Sequence, residues 1–426
     1  MRGGGIGGLT LAAAIGQLDH GHDIEIHLYE AAPKLGEIGA GLTIFNRTWE
    51  LLATLGCREA IKKRAFTYSR MGSREIKNDA IFQMRKSDQK DGFTFLNLTV
   101  PGGSWSIHRA DLHQALLARL PENSRVHLAS RVVTCTQHGS FVTITLHDGK
   151  TANFDLVIGA DGIKSVIRQE LIAELPDQKD CVHPIWTGSI GYRSLIPMET
   201  LARKYPGHRA ITAPIMYCGK NKHIVTYPIS KGRLINTIAF FSEPEKEGTP
   251  FPGEVVQEAS QNEVLSRFGG WEDEVMELLK SIDKSSRWAI LASKPLSTYG
   301  TGRVAVLGDA AHAMTTHLGS GAGQAIEDAY ILASVITMGV QDGIDVARII
   351  EIYSTVRQPM GNFVLNSSRS QGLRYELNSI GFEDVRENEP IQMDRMIGLA
   401  EEIIRGWKWS WTTSVQEDQK RAKALL

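Results

Sequence analysis

The chain has 426 residues, 42% of them hydrophobic and 22% charged, with a formal net charge of −1. That length supports a large buried core and about two to three domains, and the near-neutral charge excludes a nucleic-acid footprint on the scale of the whole chain. No apolar run reaches the ~20 residues of a membrane helix, and the N-terminus does not read as a signal peptide.

The first residues are MRGGGIGGLTLAAAIG, in which Gly3, Gly5 and Gly8 fit the spacing G-x-G-x-x-G. Such a turn needs positive φ, close approach of backbone to a pyrophosphate, and tight packing of the next helix on its strand. LTLAAAIGQL reads as that helix, its N-terminus facing the phosphates. IEIHLYE reads as a strand ending in Glu30. An acid about 20 residues past the loop suits a ribose hydroxyl. Helix, strand and acid in this order point to a nucleotide site rather than to a glycine turn that only joins elements. Only Met1 and Arg2 stand where a buried first strand belongs. Losing five apolar side chains there, at ~1.5–3 kcal/mol each, would cost roughly 7–15 kcal/mol. The expectation is that the working protein carries residues ahead of these two.

Residues 36–56 begin as a glycine loop that includes Gly41 and become an amphipathic helix with Trp49, Leu51, Leu52 and Leu55. Residues 62–100 are mixed and predict short strands. Residues 105–120 predict a turn and a helix, with Asp111 as its cap. Strands joined by turns follow, up to the buried run LVIGA. From about 180 to 290 the alternation in SIGYRSLIP, HIVTYPI and RLINTIAFF predicts a mostly antiparallel sheet. RVAVLGDAAH predicts a buried strand and a glycine turn, QAIEDAYILASVITMG a helix, and the rest is helical. The polar run 416–423 reads as a solvated helix end. Four scattered cysteines without metal spacing read as reduced thiols of a cytoplasmic protein. The expected fold class is α/β. A Rossmann-like nucleotide domain (1–178 and 291–345) carries an inserted sheet domain for substrate (179–290) and a helical C-terminal region (346–426). A cleft is expected where the domains meet.

Two further segments end strands in a glycine–acid pair. DLVIGADGIKSVIR delivers Asp161 and Gly162, with Ser165 and Arg168 on the following turn or helix. RVAVLGDAAHAMTTHLGSGAGQAIEDA delivers Gly308 and Asp309 in the same way. Its second glycine run, Gly319, Gly321, Ala322 and Gly323, precedes a helix, where bare N–H groups would stabilise negative charge.

With GGGIGG and YE, the GAG loop with Asn46, IHRADL, DLVIGADGIKSVIR, GYRSLIP, HIVTYP, GDAAHAM…GSGAGQAIEDA and the tail tryptophans, the chain resembles the class A flavoprotein aromatic monooxygenases. It looks closest to their salicylate hydroxylase-like branch, and the resemblance runs nearly end to end. It implies non-covalent FAD, with Gly3, Gly5 and Gly8 at the ADP moiety and Glu30 at the adenosine ribose. It implies Arg109 beside the FAD, Asp309 at the pyrophosphate and ribityl chain, and Asp161–Gly162 serving both FAD and NAD(P)H. The glycine run before Gln324 would then meet the N1–C2=O edge, where a reduced flavin is anionic. The reaction implied is reduction of the flavin by NAD(P)H, addition of O2 as a C4a-hydroperoxide, and hydroxylation of an aromatic substrate, with no metal. Thr316 stands where the family often has proline.

Oxygen transfer of this kind needs an electron-rich ring. A phenol ionises near pH 10, and bringing that to about 7 takes ~3 units, or ~4 kcal/mol. Arg193 in GYRSL is a candidate partner for a substrate carboxylate or phenolate, against a surface ion pair. His223 and Tyr227, four apart on one strand, share a face. They match positions that orient and deprotonate phenols in related hydroxylases. His312 reads as a loop-packing residue more than a base, and His317 as a weaker candidate. Of Trp407, Trp409 and Trp411, whose i, i+2, i+4 spacing defines no single helical face, two read as core anchors of the tail rather than stacking platforms. Epoxidation, dearomatisation or flavin binding without turnover remain as alternatives, and a homodimer is left open.

Overall fold

A computed structural model describes residues 1–21, 23–36, 41–63, 66–67 and 79–426. The backbone at the very start pairs as a parallel element. Arg2 bridges to Tyr29 on one side and Gly159 on the other, with Arg2 N donating to Ile158 O and Gly3 N to Tyr29 O, both at 2.9 Å. This contact joins two short sheets into one run: Ser124–His127, Ile26–Tyr29, Met1–Arg2, Val157–Gly159, Val304–Val306 and Gly300–Thr301. All but the last are parallel.

The helix Ile6–Leu18 is apolar almost all round, with Leu9, Leu11, Ala12 and Ala14 fully buried. It packs closely along the long helix Gly321–Gln341, itself buried from Gly323 to Thr337. Its small residues also allow close approach to the end of the sheet, since a Cβ at Gly7 would sit 2.6 Å from Leu307. A parallel sheet covered on both faces calls for such near-continuous apolarity. An antiparallel meander, Val132–His138, Phe141–Leu146 and Thr151–Phe154, packs beside it.

The second layer is a larger sheet with eight strands among the described residues. Its order is Val256–Ala259, Ser285–Ala292, Ile185–Pro197, Leu234–Ser242, Lys222–Ile229, Ile215–Gly219, Ala80–Lys86 and Phe93–Val100. All neighbours are antiparallel except Ile215–Gly219 against Ala80–Lys86. The sheet is therefore not confined to 179–290, because residues 80–100 supply two of its strands. One face buries Tyr192, Tyr217, Ile224 and Ala239 under the short helices that include Gln261–Arg267 and Asp273–Leu279. The other face turns toward the nucleotide domain.

The expected α/β architecture is thus observed, with the helical C-terminal region running through Val346–Tyr375, Met393–Trp407 and Val415–Leu425. Trp407 and Trp409 are buried, and Trp407 Nε1 donates to Tyr375 Oη at 2.8 Å, as a core reading requires. Two local expectations need correction. The helix Arg109–Leu117 is capped by His108, whose Nδ1 accepts from Ala110 N at 3.3 Å, while Asp111 lies in its first turn. The polar end of the chain is not wholly solvated, because Asp418 accepts from buried Arg357 at 2.8 Å. No described helix is long and apolar enough to cross a membrane.

Candidate active site

The glycine turn is built from close backbone contacts. Gly3 has φ +107°, and a Cβ there would lie 2.2 Å from Ala160 O; a Cβ on Gly8 would lie 2.0 Å from Gly3 O. Gly5 precedes the helix, which has no side-chain cap. Glu30 ends its strand beside this turn: Oε2 accepts from Gly4 N at 2.8 Å and Oε1 from Ala32 N at 2.7 Å. Carboxylate, turn and bare helix start are therefore one unit, suited to a ribose and a pyrophosphate.

Asp161 and Gly162 follow the strand Val157–Gly159 after Ala160, and Gly162 takes φ +77°. The Asp161 carboxylate pairs with Arg2 and accepts from Ser165 Oγ at 2.5 Å and Val166 N at 2.9 Å. Ser165 caps the helix Val166–Ala173 by accepting from Arg168 N at 2.9 Å. Fully buried Arg168 ties the two glycine–acid segments together. It donates to Ile163 O at 2.6 Å on one and to Ala310 O at 3.3 Å on the other, and to Ser293 Oγ at 2.9 Å between them. Asp309 is exposed at the start of the short helix Asp309–His312, after Gly308 with φ 58°. His312 does not face a substrate space. It is buried, its Nε2 2.6 Å from Asp328 Oδ2.

The long helix begins at Gly321 without a side-chain cap, because Ser320 Oγ donates to Leu318 O instead. Its first turn borders a small cleft lined among others by Thr43, Phe45, Gly319, Gly323, Glu327 and Trp409. Bare N–H groups at a helix start favour an anion. Two such starts, one at the glycine turn and one at this cleft, fit the two ends of an FAD. Gly41 begins the strand Gly41–Phe45, which forms the opposite wall; Gly39 and Ala40 lie outside the described residues.

Below that wall lies the inner face of the large sheet. Cross-strand partners share a face, and the register aligns His223 with Phe240, Val225 with Ile238, Ile238 with Arg193, and Tyr227 with Asn236. His223, Arg193 and Tyr227 are therefore on one face, around a floor of Val225 and Ile238. Gly41 N donates to Asn236 Oδ1 at 3.3 Å, so the nucleotide domain rests directly on this floor. Arg193 is partly buried, with its guanidinium 6.0 Å over the Trp288 ring. Burial pulls its pKa down and the nearby Arg109 charge adds to that, while Tyr227 opposes it. Arg109 itself starts its helix and is half-buried. Burial pushes the Tyr227 phenol up to about 12, against the pull of Arg193 and a hydrogen bond with Thr43. Tyr227 is thus a hydrogen-bond donor at neutral pH and not a base, which separates its role from that of His223.

His223 is fully buried, with Nδ1 2.9 Å from Glu376 Oε1. His317, from the loop before the long helix, stands with its ring 5.1 Å away. Burial, helped by the charge of Arg369, holds His317 far below the usual imidazole range. Among the described residues no cluster of three His, Cys, Asp or Glu could hold a metal.

Against known proteins, residues 3–368 match the family model described as FAD binding domain. A salicylate hydroxylase of Pseudomonas putida is 34% identical over 434 residues, covering 100% of this chain and 94% of that one. A 6-methylsalicylate 1-monooxygenase of Aspergillus terreus is 33% identical, covering 86% of this chain and 80% of the relative. Among solved structures, a salicylate hydroxylase substrate complex superposes with a TM-score of 0.84 at 32% identity, covering 99% of this chain and 96% of that one.

Proposed function

We propose that this chain, which belongs to the FAD binding domain family and is an FAD-dependent monooxygenase drawing electrons from NAD(P)H, hydroxylates an ortho-hydroxybenzoic acid. The observation that carries the reading is the shared sheet face of Arg193, Tyr227 and His223 around an aliphatic floor, opposite the Gly41–Phe45 strand. The relatives named for salicylate and 6-methylsalicylate support the same substrate class.

In this reading FAD lies along Gly3, Gly5, Gly8, Glu30, Gly41, Arg109, Asp161, Gly162, Asp309, Gly319, Gly321, Ala322 and Gly323. Residues 1–178 and 291–345 carry it, less the two strands that 80–100 lends to the substrate sheet, and 346–426 closes the far side. Bound there, FAD would supply acceptance of hydride from NAD(P)H and activation of O2. The chain's own residues do the rest. The Arg193 guanidinium pairs with the substrate carboxylate. The Tyr227 hydroxyl, kept protonated by its burial, donates to the same anion. The aromatic ring lies on Val225 and Ile238. His223 Nε2 accepts the phenolic proton, which leaves the ring electron-rich, and the enclosing walls exclude water from the site. Four free, buried cysteines support a cytoplasmic location.

Salicylate, 3-hydroxybenzoate and 4-hydroxybenzoate tested in turn should separate: salicylate accelerates NAD(P)H oxidation most, and its product gains one oxygen, with or without loss of CO2. A wild-type enzyme that ignores all three would overturn the assignment. Charge-assisted hydrogen bonds are worth about 1.5–3 kcal/mol, so Arg193→Ala should raise KM for salicylate about 10- to 100-fold with flavin content unchanged. An unaltered KM removes Arg193 from the site. Removing a general base costs about 10²–10⁴ in rate. His223→Gln should lose kcat on that scale and flatten the rise of kcat with pH; a wild-type profile returns His223 to the core.

A further inference from the structure

The helix Val346–Tyr375 ends at Glu376, whose side chain reaches back into the sheet. Its carboxylate is almost wholly buried, and Oε1 lies 2.9 Å from His223 Nδ1. The same oxygen accepts from Ser242 Oγ at 2.9 Å, and Ser242 Oγ is 2.7 Å from Ser189 Oγ. The plane of the imidazole is also held by Phe240, which stacks on it at 4.4 Å and 9°. His223 Nε2 is buried with no hydrogen-bond partner in the protein.

We infer that Glu376 is a positioning residue for the reaction, holding His223 so that Nδ1 keeps its proton and Nε2 faces the substrate. This rests on the reading that His223 takes the phenolic proton. An ionised carboxylate can only accept hydrogen bonds, so the Nδ1 it meets carries hydrogen. In the neutral ring the lone pair is then on Nε2. The step is a proton transfer. The substrate O–H bond breaks, its electron pair stays on oxygen, and the proton binds Nε2. Glu376 keeps its hydrogen bond to Nδ1 through the step, and the proton passes from Nε2 to water after product leaves.

The placement is costly for a purely structural carboxylate. It sits at the C-terminal end of a 30-residue helix, where the helix dipole disfavours negative charge. Its partner there is a titratable ring rather than a lysine or arginine. The other groups facing His223 are the His317 ring, held neutral by burial, and Tyr375 at 5.7 Å, which is engaged with Trp407. Cys218 is opposite in register, its thiol pushed up by burial. Arg369 acts on His317 from the same helix as Glu376. Among these described neighbours the one carboxylate is Glu376.

The test uses full-length, FAD-loaded enzyme with salicylate, and the variants Glu376→Gln, His223→Gln and the pair. Losing the group that orients a functional histidine costs about 10- to 100-fold. Glu376→Gln should lower kcat by that factor, leave KM within about threefold and flavin content unchanged, and displace the pH–rate profile. The double variant should be no slower than His223→Gln alone, because both act through one imidazole. Losses that multiply in the pair, or a Glu376→Gln enzyme with wild-type kcat and pH profile, would overturn the inference. If Glu376→Gln fails to hold FAD, Ser242→Ala, which removes one hydrogen bond to the same oxygen, should lower kcat a few-fold; no change would overturn it equally. A fast His223→Gln enzyme sinks the base reading itself, whereas a slow His223→Gln beside a normal Glu376→Gln sinks only the positioning role.

Discussion

Gly8→Ala is expected to emerge from purification largely stripped of FAD. The new Cβ would lie 2.0 Å from Gly3 O, a contact with backbone that no side-chain rotation relieves. Gly3 cannot yield, because its N–H is bonded to Tyr29 O at 2.9 Å and its own Cα faces Ala160 O. The turn must open, and it opens at the N-terminus of Ile6–Leu18, where the pyrophosphate would rest. Overpacking of this kind costs about 1–3 kcal/mol, a loss of about 5- to 150-fold in affinity. Flavin absorbance per protein after gel filtration measures it. Gly139→Ala, in a hairpin with open space around it, is the control and should keep its flavin. Equal flavin in Gly8→Ala and wild type would mean that the phosphates do not rest on this turn.

The second large effect lies in the charges beneath the cleft at the start of the long helix. Fully buried Arg357 donates to Asp328 Oδ1 at 2.9 Å, to Gln324 Oε1 at 2.8 Å and to Asp418 Oδ2 at 2.8 Å. Asp328 also accepts from Gly308 N at 3.0 Å, and Glu327 is held by Arg47 at 2.8 and 2.9 Å. The cluster therefore connects the glycine–acid turn, the start of the long helix and the C-terminal helix. Arg357→Met leaves Asp328 buried without its guanidinium partner, and breaking such a pair costs about 3–5 kcal/mol. Denaturant midpoints at neutral pH should fall accordingly, and flavin should be lost at lower denaturant than in wild type. Lysine at 357 should not rescue, because one ammonium cannot reproduce three divergent N–H directions.

The same cluster sets an acid limit. Burial opposes ionisation of Asp328, but the charges of His312 and Arg357 and the hydrogen bonds from His312 and Gly308 overcome it and hold the group at about 2, below its ordinary 3.8. A depressed folded-state pKa stabilises above the unfolded value and loses that stabilisation as pH falls through the folded one. The Asp328 contribution should therefore be complete above pH ~4 and decline between about 4 and 2. In Arg357→Met the decline should begin at higher pH. Tryptophan fluorescence during acid titration reads this out, and coincident curves for the two proteins would remove Arg357 from the account.

What the sequence disclosed was local. The glycine turn, the helix behind it and the strand ending in Glu30 are contiguous, and their chemistry follows from residues a few positions apart. The same holds for Asp161–Gly162 and Gly308–Asp309, each at a strand end. What it did not disclose depends on long closure. Ala80–Lys86 joins the substrate sheet beside Ile215–Gly219, a pairing that no periodicity within 62–100 announces. Glu376 meets His223 across 153 positions, from a region read only as helical. Asp418 looked solvated because its neighbours are polar, yet its partner is at the core. The roles of His223 and Tyr227 were indistinguishable on one strand, and burial of the phenol divides them.

The most direct measurement is turnover of salicylate by the FAD-loaded enzyme under isotopically labelled O2, with NAD(P)H consumption followed beside product mass. One labelled oxygen in each product molecule and one NAD(P)H oxidised per product formed are expected. Oxidation of NAD(P)H indifferent to salicylate, with all the labelled oxygen recovered as hydrogen peroxide, would contradict it.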